Sequence, residues 1–112
     1  IVGSVLGSPS DSAYAASKAA LEALTRCVAV EHGANGVRAN VIAPGTFRTE
    51  MAKSLWESEE HMAVYEAHNP VPRIGEAEEY AGLALLLTSD GAGYLNGQTI
   101  SLDGGYSVAW RT

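Results

Sequence analysis

A parallel α/β fold is predicted by three features of this chain. Helical and extended patterns alternate along it, a long alanine-rich and leucine-rich run precedes a short β-branched run, and that second run stops at Pro44-Gly45. Ile1-Val2 reads as the tail of a strand, with Gly7-Ser8-Pro9-Ser10 as the loop leaving it. Asp11 or Ser12 caps a helix whose body runs from about Ala13 to His32, with Leu21, Leu24, Cys27 and Val28 as its apolar stripe. Gly33, Asn35 and Gly36 end it, since glycine and asparagine accept the left-handed conformation that closes a helix. Residues 37–42 are expected as a buried strand. Its carboxyl end, at Pro44-Gly45, is where open α/β sheets place ligands.

The stretch from Glu50 to about His68 is helical but mixed in polarity, and suits a mobile cover spanning roughly 50–70 better than a core helix. Pro70 and Pro72 interrupt it, and a capped helix is expected over 76–88 with Tyr80, Leu83, Leu86 and Leu87 inward. Asp90-Gly91 turns the chain, residues 97–102 form a last strand, and Asp103-Gly104-Gly105 closes with another turn. No repeat or linker breaks this order, so residues 1–112 read as one domain or most of one. The opening Ile1-Val2-Gly3 reads as a cut inside a longer fold.

Composition narrows the function. Seven basic against thirteen acidic residues give a net charge of -6, the wrong sign for phosphate backbones or anionic membranes, so nucleic acid is not an expected partner. One cysteine, Cys27, forms no internal disulfide, and no apolar run is long enough to span a bilayer; a reducing, cytoplasmic setting is expected. His32, His61 and His68 lack ligand spacing and a cysteine to join them, so no metal is expected and they read as surface histidines. The start resembles that of trypsin-like proteases, yet no serine-containing glycine motif or β-rich pattern follows.

Tyr14-Ala15-Ala16-Ser17-Lys18 is the most chemical feature. Positions i and i+4 of a helix share one face, so the ammonium of Lys18 and the phenol of Tyr14 lie together, an arrangement suited to general acid–base work. With five tyrosines in the chain, this spacing alone is weak and equally describes a solvated helix face. Ser17 reads as a small packing residue.

Four separated motifs then agree in order and spacing: Tyr14 to Lys18; Asn40-Val41-Ile42-Ala43-Pro44-Gly45 followed by Thr49; Pro72-Arg73-Ile74-Gly75; and Tyr94 to Gly105. Together they resemble the C-terminal half of the short-chain dehydrogenase/reductase family, and the resemblance covers essentially the whole chain. It implies the C-terminal part of a Rossmann-like doubly wound parallel sheet without the N-terminal βαβ dinucleotide-binding unit, and an NAD or NADP cofactor. Tyr14 would be the acid–base, and Lys18 would hold the nicotinamide ribose. Pro44 and Gly45 would let the backbone approach the cofactor, Thr49 would bond the carboxamide, and Ile42 and Thr46 would neighbour the nicotinamide. Asn40 is expected to fix strand geometry.

The family's substrate lid falls on residues 50–70, where Trp56, Met62 and Tyr65 are candidate lining residues; at helical spacing they equally read as core or subunit contact. A homodimer or homotetramer with a small-molecule substrate is implied by analogy. Gly3 and Gly7 are spaced like the first glycines of a pyrophosphate-binding turn but read as a loop before the helix, and Ser4 and Ser8 are poor substitutes for the family's catalytic serine. That serine and the catalytic asparagine would fall at or upstream of Ile1, so NAD and NADP are not distinguished. Gly45 to Glu50 and Asn69 to Arg73 resemble members acting on sugar acids and polyols, with 3-oxoacyl reductases close behind. The competing reading is a truncated, inactive member kept as a folding or oligomerisation unit.

Overall fold

A computed structural model describes residues 9–110; the expected strand tail at Ile1-Val2, the glycines Gly3 and Gly7, and Ser4 and Ser8 lie outside them. The architecture is α/β around a two-stranded parallel sheet. Helix α1 (Ser12–His32) leads through a 3₁₀ turn (Gly33–Asn35) to β1 (Val41–Pro44). A second 3₁₀ turn (Glu50–Ala52) runs into α2 (Lys53–Trp56), followed by α3 (Glu59–His68), α4 (Ala77–Thr88), a third 3₁₀ turn (Asp90–Ala92) and β2 (Thr99–Leu102). β1 and β2 pair in register from Val41 opposite Thr99 to Pro44 opposite Leu102. A parallel pair needs a long crossover, and here α2, α3 and α4 supply it.

The strands are shorter than the pattern predicts. β1 begins at Val41, four residues after Val37, because its partner begins only at Thr99. Just before Thr99, Gly97 adopts φ 72°, which no ladder residue can follow. Side chains take over the backbone groups on that approach. Asn96 Oδ1 accepts from the Ala39 N–H at 2.9 Å, Asn40 Oδ1 accepts from the Gln98 N–H at 3.0 Å, and the Asn40 amide donates to the Leu95 carbonyl at 2.9 Å. Asn40 therefore does shape the strand entry.

The helices bury different faces from those expected. In α1 the buried residue is Ala29, with Lys18, Glu22, Thr25 and Val28 half-buried beside it, whereas Leu21 and Leu24 are 48% and 58% exposed. Alanine permits the closest approach: Asn96 donates to the Ala29 carbonyl at 3.1 Å, and a Cβ on Gly97 would lie 3.4 Å from that of Ala29. In α4, Leu83 and Leu87 are half-buried while Tyr80 and Leu86 are exposed. Among the described residues the apolar core is small, comprising Ala29, Ala43, Ile74 and Ala92.

Gly36 turns left-handed at φ 78° and donates its N–H to the Gly33 carbonyl, closing α1 as its glycines predict. The turn after β2 is also left-handed, at Gly104 (φ 65°) and Gly105 (φ 88°).

Candidate active site

Two observed contacts set the direction of α1. Ala29 meets Asn96, and seven residues earlier Glu22 accepts from the Thr99 hydroxyl at 3.4 Å. Moving back along α1 thus accompanies moving forward along β2, so the first turn of the helix lies toward the carboxyl ends of the strands. Lys18 is about 6 Å beyond Glu22 and Tyr14 about 6 Å further, at 1.5 Å per helical residue. With about 3.3 Å per strand residue, that places Tyr14 near the level of Asp103 and Gly45. Tyr14 is 48% exposed, and the Lys18 Nζ lies over its ring, 5.4 Å from the centroid. The ammonium thus sits above the π face of the tyrosine. Ser17, expected as a packing residue, is exposed and donates its hydroxyl to the Tyr14 carbonyl at 2.7 Å, a local helical bond.

The strand ends are built around one close approach. A Cβ on Gly45 would stand 2.9 Å from both Cα and Cβ of Asp103, closer than side chains pack, so the glycine is required by Asp103 whatever else approaches it. Asp103 is itself buried; its carboxylate accepts from the N–H groups of Gly105 at 2.9 Å and Ser107 at 3.0 Å. Burial works to raise its pKa, but the bonds from Ser107 and Gly105 outweigh it and hold the carboxyl below its ordinary value.

From Gly45 the chain is held by the Arg73-Ile74-Gly75 segment. Gly75 donates to the Thr46 carbonyl at 2.9 Å and accepts from the Arg48 N–H at 2.9 Å, and a Cβ on Gly75 would strike the Phe47 ring at 2.5–2.8 Å. Two of the sequence motifs are therefore one structural unit. Thr49 caps the following turn, accepting from the Ala52 N–H at 3.3 Å, which leaves its hydroxyl hydrogen free to donate. Trp56 donates its indole N–H to the Thr49 carbonyl at 2.9 Å and lies under the Arg48 guanidinium.

Residues 50–68, expected as a cover, are helical in two pieces broken at Glu57-Ser58, where Ser58 caps α3. Beneath α3 lies a cleft of about 240 Å³ floored by Thr46, Leu55, Met62, Tyr65, Ile74 and Tyr106. Met62 and Tyr65 thus share one cavity with Thr46, as candidate lining residues, while Trp56 lies outside it and serves to pin the cover to Thr49. Tyr65 stacks on Tyr106 with centroids 5.7 Å apart. Burial raises the Tyr65 pKa, and hydrogen bonds with Thr46 pull against that shift. His61 and His68, expected as surface residues, are exposed and also edge the cleft.

A second cavity of about 140 Å³ adjoins it, sharing Thr46 and Tyr65 and reaching Asn69, which is 5% exposed with its Oδ1 lacking a hydrogen bond among the described residues. Sequence reasoning missed Tyr106, Asp103 and Asn69 as parts of the site. Only the Asp-Gly-Gly turn signal pointed near them.

A family model described as enoyl-(acyl carrier protein) reductase matches residues 1–107. A solved short-chain type dehydrogenase/reductase from Mycobacterium ulcerans superposes with a TM-score of 0.90 at 36% identity, over 96% of this chain and 39% of that one. This chain belongs to the short-chain dehydrogenase/reductase family. Among relatives of this short-chain dehydrogenase/reductase, a galactitol 2-dehydrogenase (L-tagatose-forming) of Cereibacter sphaeroides is 42% identical over 87% of the chain and 38% of its own length. A probable 2,4-dienoyl-CoA reductase of Bacillus subtilis is 50% identical over 81% of the chain and 37% of its length. A gluconate 5-dehydrogenase from Burkholderia cenocepacia, solved with NADP and tartrate, has a TM-score of 0.91 at 34% identity, over 97% of this chain and 43% of that one. The chain therefore spans about two-fifths of the length of these relatives. Among the described residues, no helix of this short-chain dehydrogenase/reductase is long and apolar enough to cross a membrane, and no group of three metal-ligating side chains forms.

Proposed function

We propose that this chain supplies the catalytic acid–base and one wall of the cofactor site of an NAD(P)-dependent oxidoreductase that interconverts a secondary alcohol and a ketone. The observation that supports the reading is that the Lys18 ammonium stands over the Tyr14 ring on one face of α1, a helix whose contact from Glu22 to Thr99 directs its first turn toward the carboxyl ends of the strands. The residues present suit the nicotinamide end of a dinucleotide. Lys18 brings an ammonium beside the Tyr14 ring that would hold ribose hydroxyls, and the Thr49 hydroxyl retains a hydrogen to donate to a carboxamide oxygen. Pro44, Gly45 and Thr46 are half-buried at the carboxyl end of β1 and would form the backbone wall of that site. When bound, the nicotinamide supplies or accepts the hydride.

The chain's own work is proton transfer and exclusion of water. In the reducing direction the Tyr14 hydroxyl protonates the carbonyl oxygen, and in the oxidising direction its phenolate takes the alcohol proton, with Lys18 orienting and electrostatically supporting the oxygen. The cover formed by α2 and α3 closes the cleft, with Met62 and Tyr65 against the substrate body. The names of the relatives span polyol, sugar-acid and acyl substrates, and each is a candidate here. The reading includes a cytoplasmic homodimer or homotetramer, for which the exposed Leu21 and Leu24 of α1 are supporting surface.

The test is Tyr14→Phe in the protein carrying this chain. Turnover coupled to NAD(P)H is expected to fall by a factor of about 100 or more, the scale of a general acid–base contribution, while calorimetric affinity for the cofactor stays within about twofold. Retained turnover removes Tyr14 from the mechanism. Absence of any dinucleotide binding favours the second reading, a folding or oligomerisation unit, for which the small core and exposed apolar helix faces speak.

A further inference from the structure

The cleft beneath α3 has an unusual polarity for a site that would hold a sugar acid or a polyol. Its walls are the side chains of Leu55, Met62, Val64 and Ile74 with the rings of Tyr65 and Tyr106, edged by Thr46, His61 and His68, and among the described residues no lysine, arginine, aspartate or glutamate lines it. Its polar groups are few and partly engaged. Thr46 is hydrogen bonded to Tyr65. His68 holds its Nδ1 2.6 Å from the Val64 carbonyl, so that nitrogen carries the proton and only Nε2 is left toward the opening.

Three cations on the segments that build the cleft are paired with carboxylates. Lys53 lies between Glu50 at 3.8 Å and Glu57 at 3.9 Å, Arg48 pairs with Glu76 at 3.2 Å, and Arg73 pairs with Glu79 at 2.7 Å. The cover itself is acidic, with Glu50, Glu57, Glu59, Glu60 and Glu66 against Lys53 as its lysine and arginine complement. A carboxylate entering under it would meet a field of its own sign and find no free cation at the wall. A polyhydroxylated chain would give up water at each hydroxyl for a surface of methyl, methylene and ring carbons.

We infer that the cleft takes a small, neutral carbonyl compound or secondary alcohol with an apolar body, in preference to a sugar acid or polyol. This rests on the oxidoreductase reading above and narrows its substrate class. The cleft, at about 240 Å³, is the size of a small-molecule site. Met62 is the specificity-determining side chain: it is half-buried, unbranched and placed on α3 facing the cleft.

The experiment measures kcat/KM in the protein carrying this chain for three ketones of matched size: 2-heptanone, the polyhydroxylated erythrulose and the carboxylate levulinate, each with NADH and NADPH. The expected result is a preference for 2-heptanone of about 100-fold or more, since a single misplaced polar or apolar group is worth about 10- to 200-fold. Met62→Gln, similar in length but polar, is expected to narrow that preference by about tenfold through KM, and Met62→Leu to restore it. Equal or faster turnover of erythrulose or levulinate overturns the inference, and if that turnover is lost in Tyr14→Phe the oxidoreductase reading stands without it. No turnover of any ketone counts against the oxidoreductase reading instead. Calorimetry with 2-heptanone then decides the cleft: binding weakened by Met62→Gln supports an apolar ligand, and no binding overturns it.

Discussion

At the scale of single residues, the site depends on atoms that are absent as much as on those present. Gly45 has no side chain because Asp103 occupies the space one would need, and Asp103 is held there by the N–H groups of Gly105 and Ser107. Gly45→Ala is therefore expected to destabilise the fold by about 1–3 kcal/mol through overpacking, read as a lower urea midpoint with an unchanged slope. An unchanged midpoint would mean that the two turns separate at little cost. The Tyr14–Lys18 pairing was legible because helical periodicity is local, and the structure does bring the ammonium over the ring. The partnership of Gly45 with Asp103 was not legible, since the two lie in different turns and only the pairing of β1 with β2 joins them. Trp56 shows the converse. Its residue type and spacing suited a cleft wall, yet its half-buried indole donates to the Thr49 carbonyl, a partner that the passage from the 3₁₀ turn into α2 brings within reach.

Among the elements, α4 has the best-specified start. Glu76 and Glu79 form a reciprocal capping box, and the Arg73 guanidinium closes on Glu79 with two bonds of 2.7 and 2.8 Å. Hydrogen bonding from Arg73, then from the Glu76 backbone, lowers the Glu79 carboxyl from an ordinary 4.5 to about 2. A carboxyl depressed in the folded state contributes stability that is complete above its unfolded value and lost as pH falls toward the folded one. The contribution of this cluster is thus present above about pH 4.5 and disappears toward pH 2. The depressed Asp103 carboxyl acts in the same direction. Glu79→Gln is expected to flatten the decline in thermal midpoint between pH 5 and 2, and a decline as steep as in the unaltered chain would remove this cluster from acid sensitivity. The helix itself was readable from its cap and period. The strands were readable in kind but not in extent, because a ladder runs only as far as its partner, and the left-handed Gly97 delays the start of that partner.

For the whole molecule, the decisive quantity is how little apolar surface is covered. The radius of gyration is 15.6 Å, against about 13 Å for a compact chain of this size, and Leu21, Leu24, Val30, Leu85 and Leu86 are exposed. The 112-residue chain alone is expected to bind an apolar dye such as ANS and to unfold with a shallow urea slope; a steep, dye-silent transition would show that these faces do not govern its stability. The sequence by itself determined the parallel α/β class, the capped start of α4, the glycine turns and the Tyr14–Lys18 pair, because these follow from periodicity and from backbone preferences acting within a few residues, whereas Asp11 starts α1 without a side-chain cap bond. Only the tertiary structure decided which helix faces are buried, where the strands begin and end, that Asp103 dictates Gly45, and that Thr46, Met62, Tyr65 and Tyr106 share one apolar cleft. Those outcomes depend on which distant segments meet, and a short window of residues carries no record of its partner.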